Sequence, residues 1–399
     1  MIATFKPCRL RGVIDAPPSK SMAHRFLIGA ALSGKICTLS GVDYSEDILA
    51  SMDCLEALGA KITVCGDQVT IDPSGFMQGK NPVLHCRESG STLRFFIPLA
   101  LCLGQPVTFT GSGRLLERPM GVYEELCREQ GFAFRKETGS LTVCGNLTGG
   151  HYTLRGDVSS QFVTGLLFGL VYRNAEASIR ILPPVESRPY IDLTVSALKA
   201  FGAKIDFDQD TIQVHPAQLQ AHCGRIEGDY SNAAFLDAFN YLGSDVQVEN
   251  LDPGSLQGDR VYKAHFQAIS AGAPVVDMSD CPDLGPILFA MAAMKNGATF
   301  TGTDRLKAKE SDRGLAMHRE LEKLGGGLIF GENTITVPKQ DLQYKGVTLD
   351  SHNDHRIVMA LSVLLSKLGG SIDGVEAVRK SYPGFFSDIQ SLGAEVTVE

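Results

Sequence analysis

One punctuation recurs along the chain: a helix-like amphipathic stretch, then a glycine, then a short β-like run. It spans Leu55–Ile62, Leu126–Phe134, Leu198–Ile205, Leu321–Ile329 and Ile389–Val396, with a weaker copy at Phe266–Val275. The glycines are Gly59, Gly131, Gly202, Gly272, Gly325 and Gly393, separated by 72, 71, 70, 53 and 68 residues. Glycine at such a point ends a helix in the left-handed conformation and lets the next strand begin at once. Repeats of this length exceed the usual solenoid period. They fit α/β units of a few elements each, stacked three and three.

Each repeat carries a second helix-like segment: Ser21–Leu32, Ser91–Cys102, Ser160–Tyr172, Asn232–Leu242, Asp283–Met294 and His355–Leu364. All open on polar residues of the kind that cap helices. A helix N-terminus also attracts anions through its spare N–H groups. Capping alone does not explain the cations standing beside these openings: Lys20, Arg25, Arg94, Arg118, Lys309, Arg313, Arg356 and Lys380. Arg118 and Arg188 each precede a proline, which favours extended or turn backbone over a helix interior. Lys309 and Arg313, four apart, are expected on one helical face. Guanidinium forks and lysine ammonium groups at matching places in a repeat point to phosphorylated, polyanionic ligands.

Composition narrows the function further. At about 150 residues per domain, 399 residues predict two to three domains. A net charge of −8 argues against bulk nucleic-acid binding, which needs a basic face. The longest apolar run, Phe95–Leu103, falls far short of the ~20 residues that cross a bilayer. The first residues lack the pattern of a signal or transit peptide. The cysteines show no disulfide or zinc spacing and read as reduced, mostly buried thiols in a cytoplasm. No phosphate-loop or dinucleotide fingerprint is present, and no nucleophile elbow. His352 and His355 lack a third ligand at metal-like spacing, so neither metal nor cofactor is expected.

These residues carry a resemblance. Pro18-Ser-Lys-Ser21 with Arg25, Ser89-Gly90 with Arg94, Glu117-Arg-Pro119, Ser159-Ser-Gln161, Ser187-Arg-Pro-Tyr190 and Glu227-Gly-Asp229 follow one family's order. So do Pro282-Asp283, Lys309-Glu-Ser-Asp-Arg313, Asn353-Asp-His-Arg356 and Lys380-Ser-Tyr-Pro383. The chain resembles the 5-enolpyruvylshikimate-3-phosphate synthase family from residue 18 to 383. That resemblance implies a two-domain inside-out α/β barrel, each domain built of three βαβαββ repeats. One domain would join 1–18 to 228–399 and the other would span 19–227, with the active site in the cleft between them.

The implied reaction moves the enolpyruvyl group of phosphoenolpyruvate to the 5-hydroxyl of shikimate 3-phosphate and releases phosphate. By position in the motifs, Lys20, Asp283, Glu310 and His355 would be catalytic. Lys20, Ser21, Arg25, Ser159, Ser160, Gln161, Ser187, Asp283 and Lys309 would hold shikimate 3-phosphate. Lys20, Gly90, Arg118, Gln161, Arg313, Arg356 and Lys380 would hold phosphoenolpyruvate. The resemblance further implies a cytoplasmic monomer whose partners are these two substrates, with neither nucleic acid nor membrane. Gly90 keeps the small residue that leaves room for glyphosate in sensitive members. Ser91, Arg305 and Tyr230 depart from the family's usual threonine, asparagine and small residue. The alternative is the related UDP-N-acetylglucosamine enolpyruvyl transferase, which has Lys-Asn where this chain has Lys20-Ser21. That family also places a reactive cysteine in the loop matching Gly111–Met120, where this chain has none.

Overall fold

The glycine-punctuated repeat resolves into a βαβαββ order in the computed structural model, which describes residues 1–399. Two compact domains result: Pro18–Glu227, and Met1–Pro17 together with Gly228–Glu399. Pro18 therefore falls with the residues that follow it.

In Pro18–Glu227, the first repeat runs α1 (Lys20–Leu32), strand Cys37–Ser40, α2 (Glu46–Ala57) and the hairpin Lys61–Cys65/Gln68–Asp72. Its opening strand comes from the far end of the domain, where Gly224–Arg225 pairs parallel to Leu39–Ser40. The second repeat begins at Val83–His85 and contains α3 (Gly90–Ala100), Val107–Thr110, α4 (Gly121–Gln130) and the hairpin Ala133–Glu137/Ser140–Cys144. The third begins at Gly150–Arg155 and contains α5 (Ser160–Arg173), Ala177–Leu182, α6 (Arg188–Ala200) and the hairpin Lys204–Asp208/Thr211–His215. In each sheet the first two strands are parallel, and the hairpin adds two antiparallel ones.

The other domain opens with α7 (Tyr230–Tyr241), strand Asp245–Glu249 and α8 (Tyr262–Ala271). Asp245–Glu249 pairs parallel with Arg11–Asp15 in a two-stranded sheet. No hairpin follows α8, and the chain runs directly to Val275–Asp277. This omission accounts for the short glycine spacing after Gly272. It also corrects the expectation there, because Gly272 is extended at φ −174°. The other five repeat glycines have φ between 70° and 101°. Two complete repeats follow, one with α9 (Gly285–Met294) and α10 (Arg313–Lys323), the other with α11 (His355–Leu368) and α12 (Phe385–Ser391). The last sheet is completed by the N-terminal strand Ile2–Phe5, antiparallel to both Gly370–Asp373 and Val396–Val398.

In both domains the first helix of each repeat is buried on nearly every face. Strands such as Ser140–Cys144 and Gln68–Asp72 alternate buried and more exposed residues, which puts one face of their sheets on the core. Helices inside and sheets outside is the inside-out arrangement; the strands form six separate sheets. Glycine permits the closest helix contact. A Cβ at Gly165 of α5 would lie 2.2 Å from the Arg94 carbonyl oxygen of α3, so only glycine lets these backbones meet.

Six of the ten cysteines are buried, Cys8 and Cys144 are half-buried, and Cys65 and Cys223 are exposed; all are free thiols. No helix is long and apolar enough to cross a membrane.

Candidate active site

Each domain assembles its own part of the predicted set. In Pro18–Glu227, Ser19 caps α1 by accepting from the Met22 N–H at 3.3 Å, which places Lys20 on the first turn. The Lys20 ammonium donates to Asp47 Oδ2 at 2.8 Å, with side-chain exposures of 14% and 10%. Asp47 sits in the first turn of α2, where the helix dipole favours a carboxylate.

Behind this pair runs a buried polar chain. His24 Nδ1 lies 2.8 Å from Ser51 Oγ, Ser51 Oγ lies 2.9 Å from Thr92 Oγ1, and Thr92 Oγ1 donates to Ser89 Oγ at 2.8 Å. Burial holds His24 well below the usual histidine range, reinforced by the positive charges of Lys20 and Arg25.

Arg25 is fixed from three sides. It donates through Nε to Thr194 Oγ1 at 2.8 Å, through Nη1 to Ser21 O at 2.6 Å and through Nη2 to Tyr190 O at 3.0 Å. Burial lowers its pKa to about 10. These bonds tie the Ser21 turn to the start of α6, where the flanking residue Ser187 has a left-handed backbone at φ 55°.

A second group forms where α3 and α5 begin. Ser89 caps α3 and Ser159 caps α5, which places Gly90 and the Ser160–Gln161 pair at helix N-termini. Arg94 Nη1 donates to Gln161 Oε1 at 2.6 Å, and Gln161 Nε2 donates to Ser91 Oγ at 2.8 Å. Arg118 has the extended backbone expected before Pro119. A Cβ at Gly90 would lie 2.5 Å from Arg118 Nη1 and 3.3 Å from Arg94 Nη1. The two guanidinium groups thus flank the same backbone turn.

In the discontinuous domain, the hub is Asp283, on a short 3-10 turn (Pro282–Leu284) before α9. The helix expected from Asp283 therefore starts at Gly285. Asp283 Oδ1 accepts from Arg313 Nη1 at 2.7 Å and lies 3.1 Å from Lys309 Nζ, while Oδ2 accepts from Arg356 Nη2 at 3.2 Å. Burial would raise the Asp283 pKa, but Arg356, Lys309 and Arg313 together hold it well below the usual carboxylate range. Burial in turn lowers Lys309, against the pull of Asp283.

Lys309 and Arg313 do not share a helical face as expected. A 3-10 turn ends at Lys309, whose backbone is extended, and Asp312 caps α10 so that Arg313 is its first residue. Both still reach Asp283, because the cap turns the chain between them. Arg313 also donates through Nη2 to Glu310 Oε2 at 2.8 Å and through Nε to Asp354 Oδ2 at 2.9 Å. These acids, Asp354 first, keep Arg313 protonated despite burial.

Asp354 caps α11, accepting from the Arg356 N–H at 2.9 Å and from Ser311 Oγ at 3.0 Å. His355 is buried with Nδ1 3.8 Å from Asp354 Oδ1, and Lys380 Nζ donates to Asn353 O at 2.7 Å. His352 lies apart from His355 in its bonding, with Nε2 2.8 Å from Glu320 Oε1.

The departures have local roles: Ser91 accepts from Gln161, Arg305 donates to Ser279 O at 3.2 Å, and Tyr230 donates to Asp252 O at 2.9 Å. Asp47 and Asp259 are not among the residues expected at the site, and Asp354 enters only within the Asn353-Asp-His-Arg356 motif. Asp47 and Asp354 carried a signal, as acids at helix starts. Asp259 carried none; it is fully buried, bonded to Ser231 Oγ, and pushed up to about 6 by burial and by the charge of Asp283.

Residues 5–389 match the family described as EPSP synthase (3-phosphoshikimate 1-carboxyvinyltransferase). The chain is similar to the 3-phosphoshikimate 1-carboxyvinyltransferase of Clostridium kluyveri, at 39% identity over 98% of this chain and 97% of that protein. The enzyme of the same description from Clostridium perfringens is 36% identical over 97% of both chains. The structure of an EPSP synthase from Acinetobacter baumannii has the same fold, with a TM-score of 0.77 at 22% identity, covering 100% of this chain and 99% of that one.

Proposed function

The chain belongs to the EPSP synthase family and transfers the enolpyruvyl group of phosphoenolpyruvate to the 5-hydroxyl of shikimate 3-phosphate, a step of aromatic amino acid biosynthesis; from this premise we propose how its residues divide the work. Residues of both domains serve one pair of substrates. Lys20, Ser21, Arg25, Ser159, Ser160, Gln161, Ser187, Asp283 and Lys309 hold shikimate 3-phosphate. Lys20, Gly90, Arg118, Gln161, Arg313, Arg356 and Lys380 hold phosphoenolpyruvate. Arginine forks match phosphate and carboxylate oxygens, and lysines add point charge.

The reaction adds a proton to the methylene carbon of phosphoenolpyruvate, which leaves positive character on the adjacent carbon. The 5-hydroxyl oxygen bonds there and loses its proton, giving a tetrahedral adduct. Loss of phosphate and of one methyl proton then forms the new enol ether. Asp283 takes the hydroxyl proton. Glu310 and Lys20 exchange the proton at the methyl carbon, and His355 assists from its place beside Asp354. The cations that meet the substrates also stabilise the departing phosphate.

The observation that carries this reading is the Asp283 carboxylate held among Lys309, Arg313 and Arg356. Three cations keep it ionised, and its side chain stays 23% exposed, open to a substrate hydroxyl. Ten free cysteines are the usage of a reducing compartment, which supports a cytoplasmic enzyme. We take it to act as a monomer. The test is phosphate release with both substrates, repeated with Lys20→Met, Asp283→Asn and Glu310→Ala. Each variant is expected to lose activity by about 100-fold or more, in line with removal of a general acid–base group. Parental rates in Asp283→Asn would overturn the assignment. UDP-N-acetylglucosamine in place of shikimate 3-phosphate is expected to release no phosphate.

A further inference from the structure

We propose that Arg94 is a positioning residue, whose guanidinium sets the orientation of the Gln161 amide and the place of the Arg118 backbone. This rests on the reading that Gln161 and Arg118 meet the substrates.

Arg94 is only 6% exposed. Its two Nη groups are directed at neutral acceptors from two other segments: Nη1 at Gln161 Oε1 (2.6 Å) and Nη2 at Pro119 O (3.3 Å). The guanidinium also lies over the Phe162 ring, 5.1 Å from its centroid, a cation–π contact that fixes its plane. The Arg94 backbone is pinned too. Tyr123 Oη lies 2.9 Å from Arg94 O and 2.8 Å from Phe162 O, joining α3 to α5 at this level. Gly165 lets α5 come close enough for both.

A glutamine amide has a broad, nearly two-fold terminal torsion, so burial alone does not choose between its oxygen and nitrogen. Arg94 makes that choice. Its N–H groups accept nothing, so a flipped amide would set donor against donor. The bond from Arg94 therefore commits Nε2 to the opposite side, where it donates to Ser91 Oγ. The bond to Pro119 O holds the residue after Arg118, so one guanidinium registers two groups expected to contact phosphoenolpyruvate.

Lysine at position 94 keeps the charge and loses the fork. Arg94→Lys is expected to lower kcat/KM for phosphoenolpyruvate about tenfold or more, the size of one charge-assisted hydrogen bond. The affinity for shikimate 3-phosphate should fall less. In a double-mutant cycle, Arg94→Lys should cost clearly less in a Gln161→Ala background than in the parent. Independently of turnover, the side-chain amide ¹⁵N resonances of Gln161, assigned with Gln161→Leu, should move in Arg94→Lys. Should Arg94→Lys not fold, the coupling is read from the other side, as a shift of the Arg94 guanidinium resonances in Gln161→Leu. Unmoved resonances, or fully additive costs in the cycle, would overturn the proposal. Moved resonances with parental kinetics in Gln161→Ala would instead discard Gln161 as a substrate contact while leaving the positioning role intact.

Discussion

Arg313 donates to Asp283 at 2.7 Å from a side chain that is 1% exposed. The same guanidinium reaches Glu310 and the fully buried Asp354. One buried fork thus orients the two carboxylates proposed for proton transfer. A buried ion pair is weak evidence of net stabilisation, but losing one partner is expensive because the other charge stays behind.

Arg313→Met should therefore destabilise the protein by about 3 kcal/mol or more. Chemical denaturation of the folded protein measures this directly. A variant as stable as the parent would show that Asp354 finds another partner.

Gly90→Ala puts a methyl group 2.5 Å from Arg118 Nη1, a contact closer than atoms allow, so the arginine tip must move. Gly90 lies in α3 without positive φ, so the backbone itself accepts alanine. The expected outcome is a KM for phosphoenolpyruvate raised about tenfold, with little change in overall stability. Glyphosate is expected to compete with phosphoenolpyruvate and to do so less well in this variant. Steady-state kinetics of parent and Gly90→Ala, with and without glyphosate, test both statements. Equal inhibition of the two proteins would refute the second.

His24 is buried in its neutral form, below its ordinary pKa of 6.5, because burial and the nearby Lys20 and Arg25 disfavour the charge. Below about pH 6.5 the unfolded chain binds a proton that the native protein refuses, so stability falls as pH falls. The slope from this one group is at most about 1.4 kcal/mol per pH unit. Asp259, raised to about 6, acts with the opposite sign as pH rises through that value, but it is common to parent and variant. The stability difference between parent and His24→Gln should therefore change with pH between 5 and 6.5, in the parent's disfavour as pH drops. A constant difference over that range would mean that His24 titrates normally.

Gly59 and Gly131 test the two reasons for glycine in the repeat. Gly131 has φ 70° and open space around a would-be Cβ, so Gly131→Ala should cost about 1 kcal/mol for backbone strain alone. Gly59 has φ 101°, and a Cβ there would lie 2.2 Å from Gly75 O, so Gly59→Ala must cost more. Urea midpoints of the two variants decide it, and equal costs would remove the packing argument.

Much of this protein is legible in its sequence because helix starts, helix ends and strand alternation are local properties. The six polar-opened helices lie within a few residues of their expected bounds, and five of six repeat glycines have the left-handed backbone predicted for them. Gly272 fails because the hairpin that would follow it is absent, and a chain running straight on to Val275 requires no left-handed turn. Lys309 and Arg313 fail as a helical pair because the capping of α10 by Asp312 outweighs their spacing.

What only the tertiary structure decided is partnership. Arg25 finds Thr194 across 169 residues, Arg94 finds Gln161 across 67, and Lys20 finds Asp47 across 27. Residue type and order reveal which side chains suit phosphorylated substrates. Which acid restrains which cation depends on how closely helices pack, and that is settled by buried glycines and aromatic rings far away in the chain, through contacts no local pattern encodes.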